Sequence, residues 1–188
     1  MQRDLVERAM AGDHDAFSEL ARVSIGRLYA AARLILRDPQ RAEDATQEAL
    51  VAAWRDLSSL RDPERFEAWL HRLLVRACYR EARRGRRRWA IEMDIRPSDR
   101  IEHGIEPDPA AALADRDEIE RGFVRLDQDQ RTVIVLHYYL GLTLDEAAIA
   151  LGVPPGTVRS RLHRANRILR AALAVDAGPV TNESRRLA

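Results

Sequence analysis

Residues 150–170 read ALGVPPGTVRSRLHRANRILR. Gly152, Pro154 and Pro155 interrupt the chain, and five arginines follow with no acid among them. The interruption separates two segments of helical periodicity. Upstream, TLDEAAIALG starts at Thr143 and places Glu146 three residues on, the spacing of a reciprocal capping box. Ala147, Ala148 and Leu151 supply an apolar face, and Gly152 is placed to close this helix in the left-handed conformation. VPP then turns the chain, and proline suits the first position of the next helix, where its missing N–H has no helical partner to lose. Downstream, Val158, Leu162, Ala165 and Leu169 recur at three- and four-residue spacing and predict a buried stripe. Thr157, Arg159, Ser160, His163, Arg164 and Arg167 are left facing outward. A short helix, a tight turn and a second helix with an Arg/Ser/His face fit a DNA major groove. Arginine can read guanine edges bidentately and can equally hold phosphates. Most charge runs are merely solvated faces, but those usually mix signs, and this one does not.

The surrounding chain fits a nucleic-acid reader. Its 188 residues suffice for one medium domain or two small ones. The formal net charge of +1 conceals an uneven distribution. Residues 76–88 hold seven arginines against one glutamate, whereas residues 89–120 hold ten acids against three arginines. Two basic stretches separated by an acidic one suggest two contacts with a polyanion and a connector that avoids it. All 31 basic residues are arginine. Cys78 is the single cysteine, so no internal disulfide can form. With no apolar leader and no apolar run of membrane-spanning length, a cytoplasmic protein with no membrane association is expected.

The expected fold is all-α, two small helical domains joined by a flexible linker. Asp13 is a plausible N-cap for a helix through about Arg37, with Phe17, Leu20, Ala21, Leu28, Ala31, Ala32 and Ile35 apolar. Pro39 breaks it. A second helix runs from about Arg41 to Leu57, with Ala42, Ala45, Ala49, Leu50, Ala53 and Trp54 inward. After the loop SSLRDPE, a third spans about Arg65 to Arg84, with Phe66, Leu70, Leu73, Leu74 and Ala77 as its buried stripe. The first domain then covers residues 1–88, and residues 89–111, with Pro97, Pro107 and Pro109, form the connector. Extended at about 3.3 Å per residue, that connector spans on the order of 70 Å. The second domain covers residues 112–175 and a tail covers 176–188.

Two further faces stand out. Asp44, Gln47 and Glu48 lie at i, i+3 and i+4 and share one helix side, a docking site for a protein partner or simply a solvated face. Arg65, Arg72, Arg76, Tyr79, Arg80 and Arg83 fall opposite the buried stripe of the third helix, while Trp69 reads equally well as a core edge or a surface aromatic. The five histidines show no metal-ligand spacing, and no nucleophile–base pair or phosphate-binding glycine loop is evident. Neither enzymatic chemistry nor a cofactor, a metal or a small-molecule substrate is therefore expected.

DEAAIALGVPPGTVRSRLHRANRILRAAL resembles region 4 of bacterial sigma factors, especially the extracytoplasmic-function (ECF) group, with GTVRSRLHRA the most specific piece. The resemblance implies that Arg159, Ser160, His163 and Arg164, with Thr157 and Arg167 beside them, contact the −35 promoter element. AEDATQEAL is similar to sigma region 2.2, which implies that Asp44, Gln47 and Glu48 dock on the clamp helices of the β′ subunit of core RNA polymerase. It further implies that the third helix, through Arg65, Trp69, Arg72, Arg76, Tyr79, Arg80 and Arg83, binds the −10 element as it opens. Residues 58–66 would supply a pocket for an unstacked base. The function so implied is a transcription initiation factor that directs core polymerase to promoter DNA and is itself held by an anti-sigma factor. A rival reading is a helix-turn-helix repressor or activator that binds duplex DNA without polymerase. Two positions depart from the family pattern: Pro154 stands where a capping Ser is common, and Asp127 replaces a usual proline, with Gln130 placed to complete its own capping box.

Overall fold

The computed structural model describes residues 2–95 and 122–176, and every regular element among them is helical. The first unit is built from α1 (Gln2–Met10), α2 (His14–Leu36), α3 (Pro39–Asp56) and α4 (Phe66–Ile95). Asp13 caps α2, its carboxylate accepting from the backbone N–H groups of Asp15 and Ala16 at 3.0 Å. Those bonds and the Arg8 guanidinium hold the Asp13 carboxyl below its ordinary pKa. Asp38 caps α3 the same way through Arg41 N, with Pro39 at the first helical position.

The alanines of α3 set the geometry of this unit. Ala42, Ala45, Ala49 and Ala53 are fully buried, and side chains this small let α3 lie close against α2 and α4. Leu70, Leu74, Ala77 and Cys78 of α4 meet Leu28, Ala31, Ala32 and Ile35 of α2 in one apolar core. Burial pushes the Cys78 thiol up to about 12, so it behaves as an inert core filler.

Three features differ from the sequence expectation. Helix α1 was not anticipated, because its nine residues carry only a short apolar stripe; Val6 and Ala9 nevertheless pack into the core. Trp54, expected inward, lies at the surface and packs against Phe17 and His14, with ring centroids 5.0 and 4.5 Å apart. Helix α4 continues through Ile95, into the stretch read as connector. Residues 86–95 contain no glycine or proline and include good helix formers such as Ala90, Glu92 and Met93, so nothing stops the helix before Pro97. The rest of the connector, 96–111, and the tail from 177 onward lie outside the described residues.

The second unit comprises α5 (Gln128–Ile134), a single π-type turn (Val135–Tyr139), α6 (Leu144–Leu151) and α7 (Pro155–Asp176). Asp127 caps α5 in a complete capping box with Gln130. Val133, Leu136, Ala147, Val158 and Ala165 form its buried centre. This unit packs against the first: α6 lies on α4, and α5 and the π turn lie on α2.

Candidate nucleic-acid and partner interfaces

Every local device read from TLDEAAIALGVPPGTVRSRLHRA is in place. The Thr143 hydroxyl oxygen accepts from Glu146 N at 3.2 Å, and the Glu146 carboxylate accepts from Thr143 N at 2.9 Å and from its hydroxyl at 2.8 Å. These bonds stabilise the ionised carboxylate and hold Glu146 below its ordinary pKa. Gly152 ends α6 at φ 67°, ψ 35°, where a side chain would be strained. Its N–H and that of Val153 both return to the carbonyl of Ala148. With Pro154 at the start of α7 there is no side-chain cap; the Pro154 carbonyl alone accepts from Thr157 N at 2.9 Å and Val158 N at 3.3 Å.

This rigid turn fixes how α7 presents its surface. Val158, Leu162 and Ala165 are buried and Leu169 is half-buried, as the spacing predicts. Arg159, Ser160, His163, Arg164 and Arg167 are exposed and Thr157 is half-buried. Ser160 donates its hydroxyl to the carbonyl of Thr157 at 2.9 Å. Among the described residues no ion pair engages Arg159, Arg164 or Arg167, so their guanidinium groups are available to an anionic partner.

The α3 face is only partly as expected. Asp44 and Gln47 are exposed, Gln47 donating to Glu43 at 3.4 Å. Glu48 shares their side but is half-buried, bonded to Arg80 at 2.9 Å with Arg84 at 3.8 Å. Arg84 in turn is held by the buried carboxylate of Glu81.

The α4 face needs one correction, at Trp69, and Tyr79 has a partner within the chain. Trp69 is 8% exposed and packs beside Phe66 in the core, so it is no surface contact. Helix α4 is met by α2, α3 and α6, and an aromatic of that size sits where most apolar area can be removed from water. Tyr79 is half-buried, and its hydroxyl donates to Asp129 of α5 at 2.5 Å. Burial and the Asp129 carboxylate both raise the pKa of that phenol. Arg65, Arg76, Arg80 and Arg83 are exposed and Arg72 is half-buried. Arg65 pairs loosely with Asp62 at 3.4 Å. Within residues 58–66 the chain finishes one short 3₁₀ turn, Leu57–Ser59, makes a second, Pro63–Arg65, and enters α4 at Phe66; Leu57 and Leu60 are buried.

The residues that join the two units carry no local signal in the sequence. Asp129 receives Tyr79 on one oxygen and Arg161 of α7, at 2.6 Å, on the other. Arg131 donates to the carbonyls of Ile35 at 2.9 Å and Leu126 at 2.6 Å, satisfying one of the last acceptors of α2. Burial, with Arg37 nearby, lowers the pKa of its guanidinium. Arg27 reaches the carbonyls of Tyr139 and Leu140 at 3.4 and 3.3 Å. Beside Asp129 a cleft of about 430 Å³ opens between Arg76, Arg80 and Arg83 of α4 and the Ile149–Val153 end of α6.

A sealed helix-turn-helix whose second helix carries an unpaired arginine face, set on a second helical unit, defines a DNA-binding regulator. Residues 20–88 match the family described as Sigma-70 region 2, and residues 116–169 match Sigma-70, region 4. The ECF RNA polymerase sigma factor SigM of Mycobacterium tuberculosis is 33% identical over 163 residues, covering 86% of this chain and 79% of that protein. The RNA polymerase sigma-H factor of Pseudomonas aeruginosa is 32% identical over 181 residues, covering 91% and 93%. Among solved structures, the sigma factor RpoE bound to the anti-sigma factor NepR from Bartonella quintana is similar at a TM-score of 0.69 and 28% identity, over 85% of this chain and 98% of that one. CnrH in complex with the cytosolic domain of CnrY is similar at a TM-score of 0.66 and 28% identity, over 93% and 98%. The chain belongs to the ECF group of the sigma-70 family and is a transcription initiation sigma factor.

Proposed function

We propose that this sigma factor binds core RNA polymerase through the α3 face, reads the −35 element with α7 and engages the −10 element with α4 as its strands separate. The division of labour follows domains 1–88 and 112–175, with residues 89–111 between them. The observation that carries the reading is the free arginine face of α7, held at a fixed angle by the Thr143–Glu146 box and Gly152. Arg159, Ser160, His163 and Arg164 occupy the half of the helix nearest the turn, where base edges are reached, and Thr157 and Arg167 flank them. On α4, Arg65, Arg72, Arg76, Arg80 and Arg83 follow the backbone of a separated strand, and Tyr79 stacks a base once it leaves Asp129. Trp69 has no part in this. Asp44, Gln47 and Glu48 supply an acidic-amide patch for the clamp helices of the polymerase β′ subunit. The factor acts in the cytoplasm, where polymerase and promoter DNA are, and an anti-sigma protein is its natural regulator, by analogy with the structural relative RpoE, solved in complex with the anti-sigma factor NepR.

Run-off transcription from genomic fragments with core polymerase tests the reading. Specific transcripts are expected only when the sigma factor is added, and Asp44→Arg with Glu48→Arg should abolish them together with co-elution with core on gel filtration. Normal co-elution of the double variant removes the docking assignment. Transcription that never depends on the factor, with tight duplex binding by the factor alone, would establish the repressor or activator reading instead.

A further inference from the structure

We propose that the cleft between α4 and the end of α6 binds a nucleoside triphosphate, its ring on the apolar wall and its phosphates on the arginines. The site stands on its own geometry; only its consequence for DNA rests on the assignment of α4 to strand binding made above.

The cleft holds about 430 Å³, within the range in which proteins take small molecules. One wall is a single face of α4, and that face has a polarity along the helix. Val75, Arg76 and Tyr79 line its first turn, and Arg80 and Arg83 line the next. Among the described residues no ion pair engages Arg76 or Arg83. Arg80 bonds Glu48 through Nε, and Arg161, reaching in from α7, bonds Asp129 through one terminal nitrogen. Each keeps further N–H donors. Four guanidinium groups in the lining thus meet one carboxylate, and phosphate is the acceptor whose geometry a guanidinium matches. Arg76 and Arg83 stand two turns apart, roughly 10 Å along the axis, so a chain of phosphates suits them better than a single one.

The facing wall is what separates this site from a strand-binding surface. It is the end of α6 with the turn after it, residues 149–153, and it carries no cation. Ile149 is 59% exposed there and Val153 is half-buried. A phosphate backbone gains nothing from such a wall, whereas a planar ring covers its apolar area. Tyr79 lines the opposite side, and its hydroxyl bond to Asp129 at 2.5 Å holds that ring in one orientation. Ile149 and Tyr79 therefore frame a slot for the base. The two walls are held together because buried side chains of both units belong to one apolar core. A site formed in advance binds without the cost of ordering its own side chains. Arg76, Arg80 and Arg83 also belong to the strand-binding set, so a bound triphosphate competes with a separated strand for them.

The test is calorimetric titration of the full chain with ATP, and with tripolyphosphate and adenosine as the two halves of that probe. ATP should bind about tenfold or more tightly than either half. Arg83→Ala should weaken ATP and tripolyphosphate alike, each by about tenfold. Ile149→Ser, at an exposed position that leaves the core intact, should weaken ATP severalfold and leave tripolyphosphate unchanged. Arg125→Ala, an exposed cation outside the cleft, should change neither. Failure of ATP to bind overturns the site. So does ATP that binds no better than tripolyphosphate, or that loses as much in Arg125→Ala as in Arg83→Ala, since a diffuse basic surface would then suffice. ATP should also displace labelled single-stranded oligo(dT). Binding of both without displacement overturns the competition and leaves the site standing. If Arg76→Ala and Arg83→Ala lose ATP yet keep oligo(dT), the strand-binding reading of α4 falls and the nucleotide site remains.

Discussion

On α7 the arginines at 159, 164 and 167 are exposed and unpaired among the described residues, whereas on α4 Arg80 is bonded to Glu48, Tyr79 to Asp129, and Trp69 lies in the core. The two helices carry similar chemistry in sequence. Their difference comes from place in the fold. Helix α7 closes the second unit and, among the described residues, has no neighbour on its outer side, so whatever is not apolar there is exposed. Helix α4 is central, packed by α2 and α3 on one side and met by α6 on another, so Tyr79 and Arg80 find partners within the chain. An arginine face read from spacing alone thus gives the direction of a side chain and not its availability.

The largest expected effect breaks the comparison at Trp69. As a core residue, Trp69→Ala should cost about 3–5 kcal/mol of stability, read from the urea midpoint. A variant that unfolds at the wild-type midpoint yet loses single-strand binding would return Trp69 to the DNA-binding face and make α4 resemble α7.

On α7 the effects should be moderate and unequal. Arg159→Ala and Arg164→Ala should each cost about 1–3 kcal/mol on a preferred −35 duplex and relax preference at particular positions. Arg170, exposed near the far end, should at most hold phosphate; Arg170→Ala should weaken all sequences evenly and flatten the log-affinity against log-salt slope by about one. Binding to a panel of −35 variants at several salt concentrations separates the two classes. Uniform losses for Arg159 and Arg164 on every sequence would reduce α7 to an electrostatic anchor.

Each helix also carries a histidine, His163 exposed on α7 and His71 buried on α4. The Nδ1 of His71 is buried without a hydrogen-bond partner, and Nε2 lies 3.8 Å from Glu67. Burial lowers its pKa below 6.5; Glu67 opposes the shift and Arg27 of α2 adds to it. A base whose folded pKa is depressed contributes stability that is complete above the unfolded value and is lost as pH falls through the folded one. Urea midpoints should therefore decline between neutral and mildly acid pH, and His71→Gln should flatten that decline. An identical pH profile in the variant would mean that other groups set it.

What was legible in the sequence is what is local. The Thr143–Glu146 and Asp127–Gln130 boxes, Gly152, the Asp13 cap and the stripe of α7 depend on residues three or four apart, and all are present. The outward set on α7 was legible because one buried stripe fixes the opposite side of a helix. What escaped depends on partners far away in the chain. Tyr79 and Asp129 are 50 residues apart, Arg131 and Ile35 are 96, and no period relates them. No spacing marks Arg161, which belongs to neither the stripe nor the outward face. Trp54 was misplaced because an alanine-lined helix looks apolar on more sides than it buries.

The smallest effect sharpens the contrast between the two helices of the helix-turn-helix itself. Helix α6 starts with a side-chain cap, and α7 starts with Pro154, which offers only its carbonyl. Thr143→Ala should cost about 1 kcal/mol, because it orphans the Glu146 N–H. By the same rule Pro154→Ser should gain, since a serine oxygen would reach the N–H groups at the start of α7. But Pro154 also stiffens the unfolded chain, and losing it returns roughly 0.4–1 kcal/mol of conformational freedom to that state. Gain and loss are of similar size, so the net change in stability should stay within about 0.5 kcal/mol, a shift of only a few degrees in melting temperature. Thermal unfolding of the three proteins side by side decides the point. If Pro154→Ser instead raises stability by as much as Thr143→Ala lowers it, the proline contributes nothing through the unfolded chain, and the turn before α7 is simply an uncapped helix start.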